Sequence, residues 1–531
     1  MTFPSTMQDR ALTVRTIFDH GRAIHADSAV ISHSPSGRRV ASFADVAERA
    51  ARLASGLAAL GVRVGDRVAT MSWNHQEHLE AYLAIPSMGA VLHTLNIRFS
   101  PEQLAYIISH AGDRVVIVDA SLVDTLAAAV STLCSVETFV VVGDGDASVL
   151  EQRAPVIKYE DVLRAGTGTF DWPDIDERAG ASMCYTSGTT GAPKGVVYGH
   201  RSTFLHSLSH CTTNAFGIGE RDRVLVMVPM FHANGWGFPY SAWLAGADLV
   251  FSGSDLSAPH VAGLIERERA TFSGAVPTIW NDILRYGESH EIDLSSLRAV
   301  TSGGAPVPVA LTRQLRDRYS VPMVQGWGMT ECSPLCVAMH EPEHAADDGW
   351  MAKAGRVLCG VELRIVGEDG EPAPWDGMAK GEIEVRGPWI TGSYYRDDAP
   401  EKFHDGWLRT GDIATVDAHG AIQIVDRTKD VIKSGGEWIS SVELENLLME
   451  HPDVLEAAVI AVPHERWQER PMACVVVRPG ASADIDTLLS FLETRVPKWW
   501  MPDRWVLLDE IPKTSVGKFD KKVLRSEHGH L

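Results

Sequence analysis

Tyr185-Thr-Ser-Gly-Thr-Thr-Gly-Ala-Pro-Lys-Gly195 sets four Ser/Thr hydroxyls and three glycines around one lysine. Glycine lets backbone N–H groups approach phosphate oxygens, the hydroxyls donate further bonds, and the lysine supplies positive charge. This is the chemistry of a triphosphate-binding loop, without the Gly-Lys-Ser/Thr spacing of a Walker A loop. A plain turn rich in Ser, Thr and Gly has the same composition, so the flanking sequence has to decide between them. Upstream, Phe43, Val46, Ala47, Ala50, Leu53, Ala54 and Leu57 recur at helical spacing and predict an amphipathic helix ended by Gly61. A strand at 67–71, a helix over 77–92, an apolar run at 115–118, a helix from Val123 and a strand at 139–142 follow. This alternation predicts an α/β fold with a mostly parallel sheet. Further strands at 224–228, 299–301 and 323–324 each feed a loop containing Gly or His, and ligands of open α/β sheets gather at such strand ends.

Downstream, between Val361 and Val425, helical spacing gives way to short apolar runs punctuated by Gly and Pro, which predicts a small β subdomain. Helix candidates at 442–449 and 485–495, with strands at 457–462, 473–477 and 505–508, then predict an α+β tail. The boundary falls within residues 426–430. With 531 residues the chain exceeds one ordinary core, and its 45% hydrophobic and 22% charged composition is that of globular proteins. The net charge of −21 disfavours nucleic acid and anionic lipid as partners while allowing local basic pockets. Residues 1–20 lack a basic region followed by an apolar core, and no apolar run approaches membrane-spanning length. A cytoplasmic protein without stable membrane insertion is expected. Seven scattered cysteines without CxxC pairs predict reduced thiols rather than disulfides or a zinc ribbon.

The loop at 185–195 has companions along the chain: Met230-Phe-His-Ala-Asn-Gly-Trp236, Ser302-Gly-Gly-Ala-Pro306, Gly326-Trp-Gly-Met-Thr-Glu331, Trp407-Leu-Arg-Thr-Gly-Asp412, Asp426-Arg-Thr-Lys-Asp430, Lys433-Ser-Gly-Gly-Glu-Trp438 and Pro512-Lys-Thr-Ser-Val-Gly-Lys518. In content and order the set resembles the AMP-forming adenylating superfamily of acyl-CoA synthetases, luciferases and peptide-synthetase adenylation domains. The resemblance implies an α/β fold with a large N-terminal domain of mostly parallel sheets over 1–428, including a small β-barrel subdomain at roughly 355–428. A mobile α+β C-terminal domain over 429–531 would follow, with Lys429 as the hinge. It also implies an ATP-dependent acid:CoA ligase that makes an acyl-adenylate and then a thioester, with ATP, Mg²⁺ and coenzyme A as cofactor and co-substrates. A homodimer is implied as well.

Carboxylate attack on the α-phosphorus of ATP brings two anions together, so placing cations is the chief catalytic need. By resemblance, Thr186 and Glu331 stand around Mg²⁺, and Lys518 touches both the carboxylate and the α-phosphate. Ser187, Gly188, Thr189, Thr190 and Lys194 would cradle phosphates. Gly303, Gly304 and Ala305, with Gly326, Trp327, Gly328, Met329 and Thr330, would line the nucleotide, Trp327 stacking on the adenine. Asp412 would accept from the ribose hydroxyls with Arg427 beside it. His232 and Trp236, with Gly303 and Gly328, would line an acyl site that Trp236 gates, and Gly328 and Gly235 would leave space for the chain. These pocket motifs contain no charge to read an amino group, which disfavours amino acids. After the C-terminal domain rotates, Lys433, Gly435, Gly436, Glu437 and Trp438 would replace Lys518 and receive CoA.

The motif at 230–236 with Trp438 resembles bacterial ligases of short- to medium-chain and methylthio-alkanoic acids, and the related long-chain type. Loading of a carrier protein is the alternative acceptor chemistry. His206 and His210, four apart on a helix, match metal spacing, but a packed pair fits better because no acid lies between them. Cys332 and Cys336 read as packing beside the pocket, and Trp499 with Trp500 as anchors of the tail.

Overall fold

The computed structural model describes residues 5–35, 37–186, 192–343, 345, 347–435, 437–514 and 518–529. Helix Phe43–Ala59 starts where Ser42 and Asp45 exchange side-chain and backbone hydrogen bonds in a capping box. Its apolar face, including Val46, Ala50, Leu53 and Leu57, is buried. Leu60 caps its end, and Gly61 follows with φ +91°. The helical stretch expected over 77–92 is two elements. Helix Gln76–Ser87, buried along its whole length, stops just past Pro86, the chain turns at Gly89 with φ +84°, and Val91–Thr94 is a strand. The helix expected from Val123 spans only Val123–Ala127.

Among the described residues, one sheet has seven strands in the order Val156–Lys158, Thr138–Val142, Asp113–Asp119, Arg67–Met71, Val91–Thr94, Gly180–Thr186, Lys194–Gly199. It is parallel except for its last pair, which is the hairpin bearing the quoted loop. A second sheet runs parallel through Ala29–Ser34, Asp248–Phe251, Arg223–Val226, Phe272–Ala275, Ala299–Ser302 and Met323–Gly328. Leu335–Met339 pairs antiparallel to Met323–Gly328. Through Gly355–Val357, the ladder then continues into the antiparallel strands Ala421–Arg427, Trp407–Val416, Gly381–Arg386 and Glu362–Val366. The region read as a β subdomain is thus hydrogen-bonded onto the second sheet. One apolar core serves both sheets: Val68 and Leu92 of the first share it with Val224 and Phe272 of the second, through Phe18, Tyr82 and Trp243.

The chain leaves the second sheet at Arg427, turns where the Asp430 and Val431 N–H groups donate to Arg427 O, and enters a third sheet at Ile432–Ser434. Glu437–Ile439, Val454–His464, Gln468–Val477 and Arg504–Leu507 complete that sheet. Helices Ser441–Met449 and Ile485–Glu493 close a separate core around Leu444, Val459, Val475 and Leu488. Trp500 lies in this core, whereas Trp499 is 43% exposed, so only one of the paired indoles anchors the lobe.

Candidate active site

Parallel pairing sets the carboxyl ends of Ala299–Ser302 and Met323–Gly328 side by side, Ser302 opposite Gln325. The loops leaving these ends carry Gly303, Gly304, Ala305 and Met329, Thr330, Glu331. Gly304 has φ +78°, and a β-carbon there would stand 3.5 Å from both Lys518 Cε and the Trp236 ring. The site therefore closes on Gly304 from the acyl-motif loop on one side and the C-terminal lobe on the other.

Asp412 and Arg427 face each other across the strand pair Trp407–Val416 and Ala421–Arg427. The Trp327 indole N–H donates to Asp412 Oδ2 at 2.8 Å, and Arg427 Nε lies 3.2 Å from Oδ1. Trp327 is therefore held by its edge as well as by packing, and the stacking expected of its face is not its only engagement. Glu331 sits buried in the single turn Thr330–Cys332. The Tyr394 hydroxyl donates to Glu331 Oε1 at 2.6 Å, and the Thr391 N–H donates to the Glu331 carbonyl at 2.8 Å. Burial, reinforced by the Glu331 charge, pushes the Tyr394 hydroxyl up, so it stays a donor.

Lys518 is held down to about 8, chiefly by burial, with the Arg427 and Lys429 cations adding to the effect and Asp412 and Glu331 opposing it. Its lowered value marks a cation kept among cations, as a site built for an anionic ligand requires. Burial and the Lys518 charge hold the His232 imidazole down to about 3, so His232 is neutral near pH 7.

Thr186 pairs with Lys194 at the loop end of the first-sheet hairpin. Lys194 Nζ lies 3.0 Å from Asp397 and 4.8 Å over the Tyr394 ring. That ammonium is engaged by a carboxylate and must exchange it to meet a phosphate. Ser187, Gly188, Thr189 and Thr190 of the same loop lie outside the described residues, as does Gly436. Lys433 is exposed, its N–H donates to Glu469, and Gly435 N–H donates to Trp467 O. Glu437 and Trp438 pair with Ser434 and Lys433 in the same hairpin. The structure therefore brings Lys518 to Gly304 and leaves the Lys433 hairpin bonded within its own lobe.

One expectation needs correction. A β-carbon at Gly328 would stand 1.8 Å from Pro334 O, and at Gly303 2.5 Å from Gly326 O. Both glycines permit close backbone crossings, Gly328 at the register shift of its strand pair, and neither opens space for an acyl chain on that side. Gly235 is likewise buried, with Met230 3.4 Å from a β-carbon placed there. His206 and His210 do share a face of helix His200–His210, their ring centroids 4.3 Å apart. His206 Nε2 accepts the Leu335 N–H, and burial holds the imidazole down to about 3. No group of three metal-ligating side chains occurs among the described residues. Cys332 and Cys336 are buried free thiols. Tyr394 and Asp397, which engage Glu331 and Lys194, were invisible in the sequence because a Tyr-Tyr pair in a Gly- and Asp-rich loop carries no periodicity or charge spacing.

The profile of the AMP-binding enzyme family matches residues 19–395, and that of the AMP-binding enzyme C-terminal domain matches residues 443–518. A 3-methylmercaptopropionyl-CoA ligase of Ruegeria pomeroyi is 41% identical, with 98% of each chain aligned. A long-chain-fatty-acid–CoA ligase of Thermus thermophilus is 43% identical over 99% of this chain and 97% of that one. Among solved structures, an anthranilate CoA ligase in complex with anthranoyl-AMP superposes with a TM-score of 0.90 at 26% identity, covering 98% of both chains.

Proposed function

The chain belongs to the AMP-binding enzyme family, and from that premise we propose that it is an acid:CoA ligase acting on a short- to medium-chain or methylthio-substituted acid. The observation that carries the proposal is Lys518 against Gly304, within the field of Asp412, Arg427 and Glu331. In the first half-reaction a carboxylate oxygen of the acid attacks the α-phosphorus of ATP and pyrophosphate leaves. Negative charge gathers on the α-phosphate oxygens as the bond forms, and the Lys518 ammonium meets it there. Asp412 keeps lone pairs for the ribose hydroxyls after accepting from Trp327, and neutral His232 borders the acyl carbon without competing for the carboxylate.

Glu331 keeps Oε2 free of Tyr394, and Thr186 offers a hydroxyl, so both are hard oxygen donors. Two such donors suit Mg²⁺, which takes few protein ligands alongside phosphates and water. When bound there, the ion would neutralise phosphate charge.

In the second half-reaction a CoA thiolate attacks the acyl carbonyl and AMP leaves, so the thiol needs the space that Lys518 fills. We place the required movement at Lys429, in the turn between the second and third sheets, with Lys433, Gly435, Gly436, Glu437 and Trp438 arriving in place of Lys518. Among the described residues no helix is long and apolar enough to cross a membrane. A cytoplasmic homodimer is part of the proposal, and light scattering tests its stoichiometry. The acid is identified by CoA-dependent pyrophosphate release across linear, thioether, branched and aromatic acids. Highest kcat/KM for acids of intermediate length supports the proposal. A long-chain optimum, favoured by the Thermus thermophilus relative, replaces the substrate class, and turnover only with a carrier protein replaces the acceptor.

A further inference from the structure

Residues 233–237 turn left-handedly throughout, with φ of 38° at Ala233, 43° at Asn234, 61° at Gly235, 52° at Trp236 and 77° at Gly237. L-residues avoid such runs, asparagine least, and a strained turn persists only where its surroundings over-determine it. Here the surroundings are the first sheet. Asn234 Oδ1 accepts the Thr94 hydroxyl at 2.9 Å, and its Nδ2 donates to the Ser182 hydroxyl at 2.5 Å. All three residues are buried. Thr94 and Ser182 stand on adjacent, mutually paired strands, so the carboxamide is gripped by a rigid platform from another sheet.

Entry to the turn is fixed from the same side. Asn74 donates through Nδ2 to Val226 O and Val228 O, each at 2.9 Å, and accepts the Met230 N–H at 2.8 Å. Between these anchors the chain presents His232, and two residues past Asn234 comes Trp236, whose ring lies against Gly304. The side-chain hydrogen bonds of Asn74, Thr94, Ser182 and Asn234 go to the turn, to the chain leading into it or to one another, so their common output is the placement of the turn.

We infer that Asn234, gripped by Thr94 and Ser182, is a positioning residue that fixes the Trp236 indole over Gly304 and so determines which acids the site admits. The inference rests on the proposed acid:CoA ligase reading, with Trp236 in the acyl-site role that the family resemblance implies for it. Asn234→Gly keeps a residue that tolerates positive φ but deletes the carboxamide, Thr94→Val deletes the hydroxyl at constant shape, and Thr94→Ser restores it. Steady-state kinetics of the full-length protein, measured with a graded series of linear and thioether acids, reads the effect. In Asn234→Gly and Thr94→Val the ratio of kcat/KM between acids differing by one methylene should change by about 5- to 10-fold, within the range a methylene commands in a pocket. KM for ATP should stay the same, and Thr94→Ser should keep the original ratios. Ser182→Ala removes one grip without adding bulk and gives the readout if another variant does not fold.

Unchanged ratios in folded variants, with only a lower Tm or a uniform fall in kcat, would overturn the inference. Trp236→Ala in the same series then identifies the failed premise. If it alone changes the ratios, the acyl role stands and the positioning role falls. If it too leaves them unchanged, the acyl role itself is wrong.

Discussion

Trp327 donates its indole N–H to Asp412 at 2.8 Å while Arg427 approaches the other carboxylate oxygen at 3.2 Å, so an aromatic and a cation fix one buried acid from two sides. Both partners orient the carboxylate, but only the indole is itself buried. Trp327→Phe keeps a flat ring and deletes the donor. It should raise KM for ATP about 10-fold and cost about 1.5–3 kcal/mol of stability, the scale of a hydrogen bond to a charged group. Steady-state kinetics and denaturant melts check this. An unaltered KM would mean that the orientation of Asp412 does not serve ATP.

Lys518 and Lys433 belong to one lobe, yet only Lys518 reaches Gly304. Lys518→Ala should slow adenylation by about 10²- to 10³-fold, as when one electrostatic stabiliser is lost. Conversion of supplied acyl-adenylate by CoA should survive. Lys433→Ala should do the reverse. Single-turnover pyrophosphate release and thioester formation separate the two steps, and equal impairment of the same step by both variants would refute the exchange.

The protonated form of Lys518 serves adenylation, and its value is lowered from the ordinary 10.5 to about 8. The charge is present below pH 8 and lost above it. In the free enzyme, kcat/KM for adenylation should therefore fall with an apparent value near 8, a limb that Lys518→Arg should abolish. The stability effect has the opposite sense. Between about pH 8 and 10.5 the unfolded chain binds more protons at this lysine than the folded one, so this group's contribution rises with pH across that window. Proton uptake on ATP binding at pH 8.5, followed calorimetrically in buffers of different ionisation enthalpy, gives an independent check.

Thr428 N–H and Oγ1 both bind Gly411 O, which ties the last residue before Lys429 to the second sheet. Lys429→Pro restricts the backbone there, since proline fixes φ near −65° and limits the residue before it. Adenylation should remain within about 3-fold while thioester formation falls by about 10²-fold or more, a loss that sequestering the lobe in one orientation by about 3 kcal/mol produces. Equal loss of both half-reactions would indicate misfolding.

Lys521 pairs with Glu445 at 2.6 Å and with Ser441 at 2.7 Å beneath the helix Ser441–Met449. Glu445 is buried and the Lys521 side chain is 13% exposed, and Asp426 and Asp430 add to the field of Glu445 that raises the Lys521 value. Lys521→Met leaves Glu445 without its cation and should destabilise the C-terminal lobe by about 3–5 kcal/mol. Glu445→Gln combined with Lys521→Met should recover part of that loss. Denaturant unfolding of the full chain checks both, and additive losses would show that the pair is not coupled.

Much of the site could be read from residue types alone, because its chemistry is local: phosphate loops need Gly, hydroxyls and Lys in sequence, and each motif keeps its residues within a few positions. The α/β class was legible for a similar reason, since buried parallel strands are short apolar runs. The single stretch read as helix at 77–92 shows the limit of such patterns. A helix buried on all sides, polar Gln76, Glu77, His78 and Glu80 included, shows no one-sided apolar stripe, so periodicity does not mark where it ends and the buried strand begins, whereas a glycine with φ +84° does in three dimensions. Gly328 was misread because a missing side chain looks like space in sequence, while the fold fills that space with Pro334 O. Tertiary structure alone decided which lysine meets Gly304, that Tyr394 holds Glu331, and that Thr94 and Ser182 grip Asn234. Those partners lie 63, 140 and 52 positions apart in the chain, and only tertiary packing, within the second sheet for Tyr394 and Glu331 and between the first and second sheets for Asn234, brings such distant polar atoms within hydrogen-bonding reach.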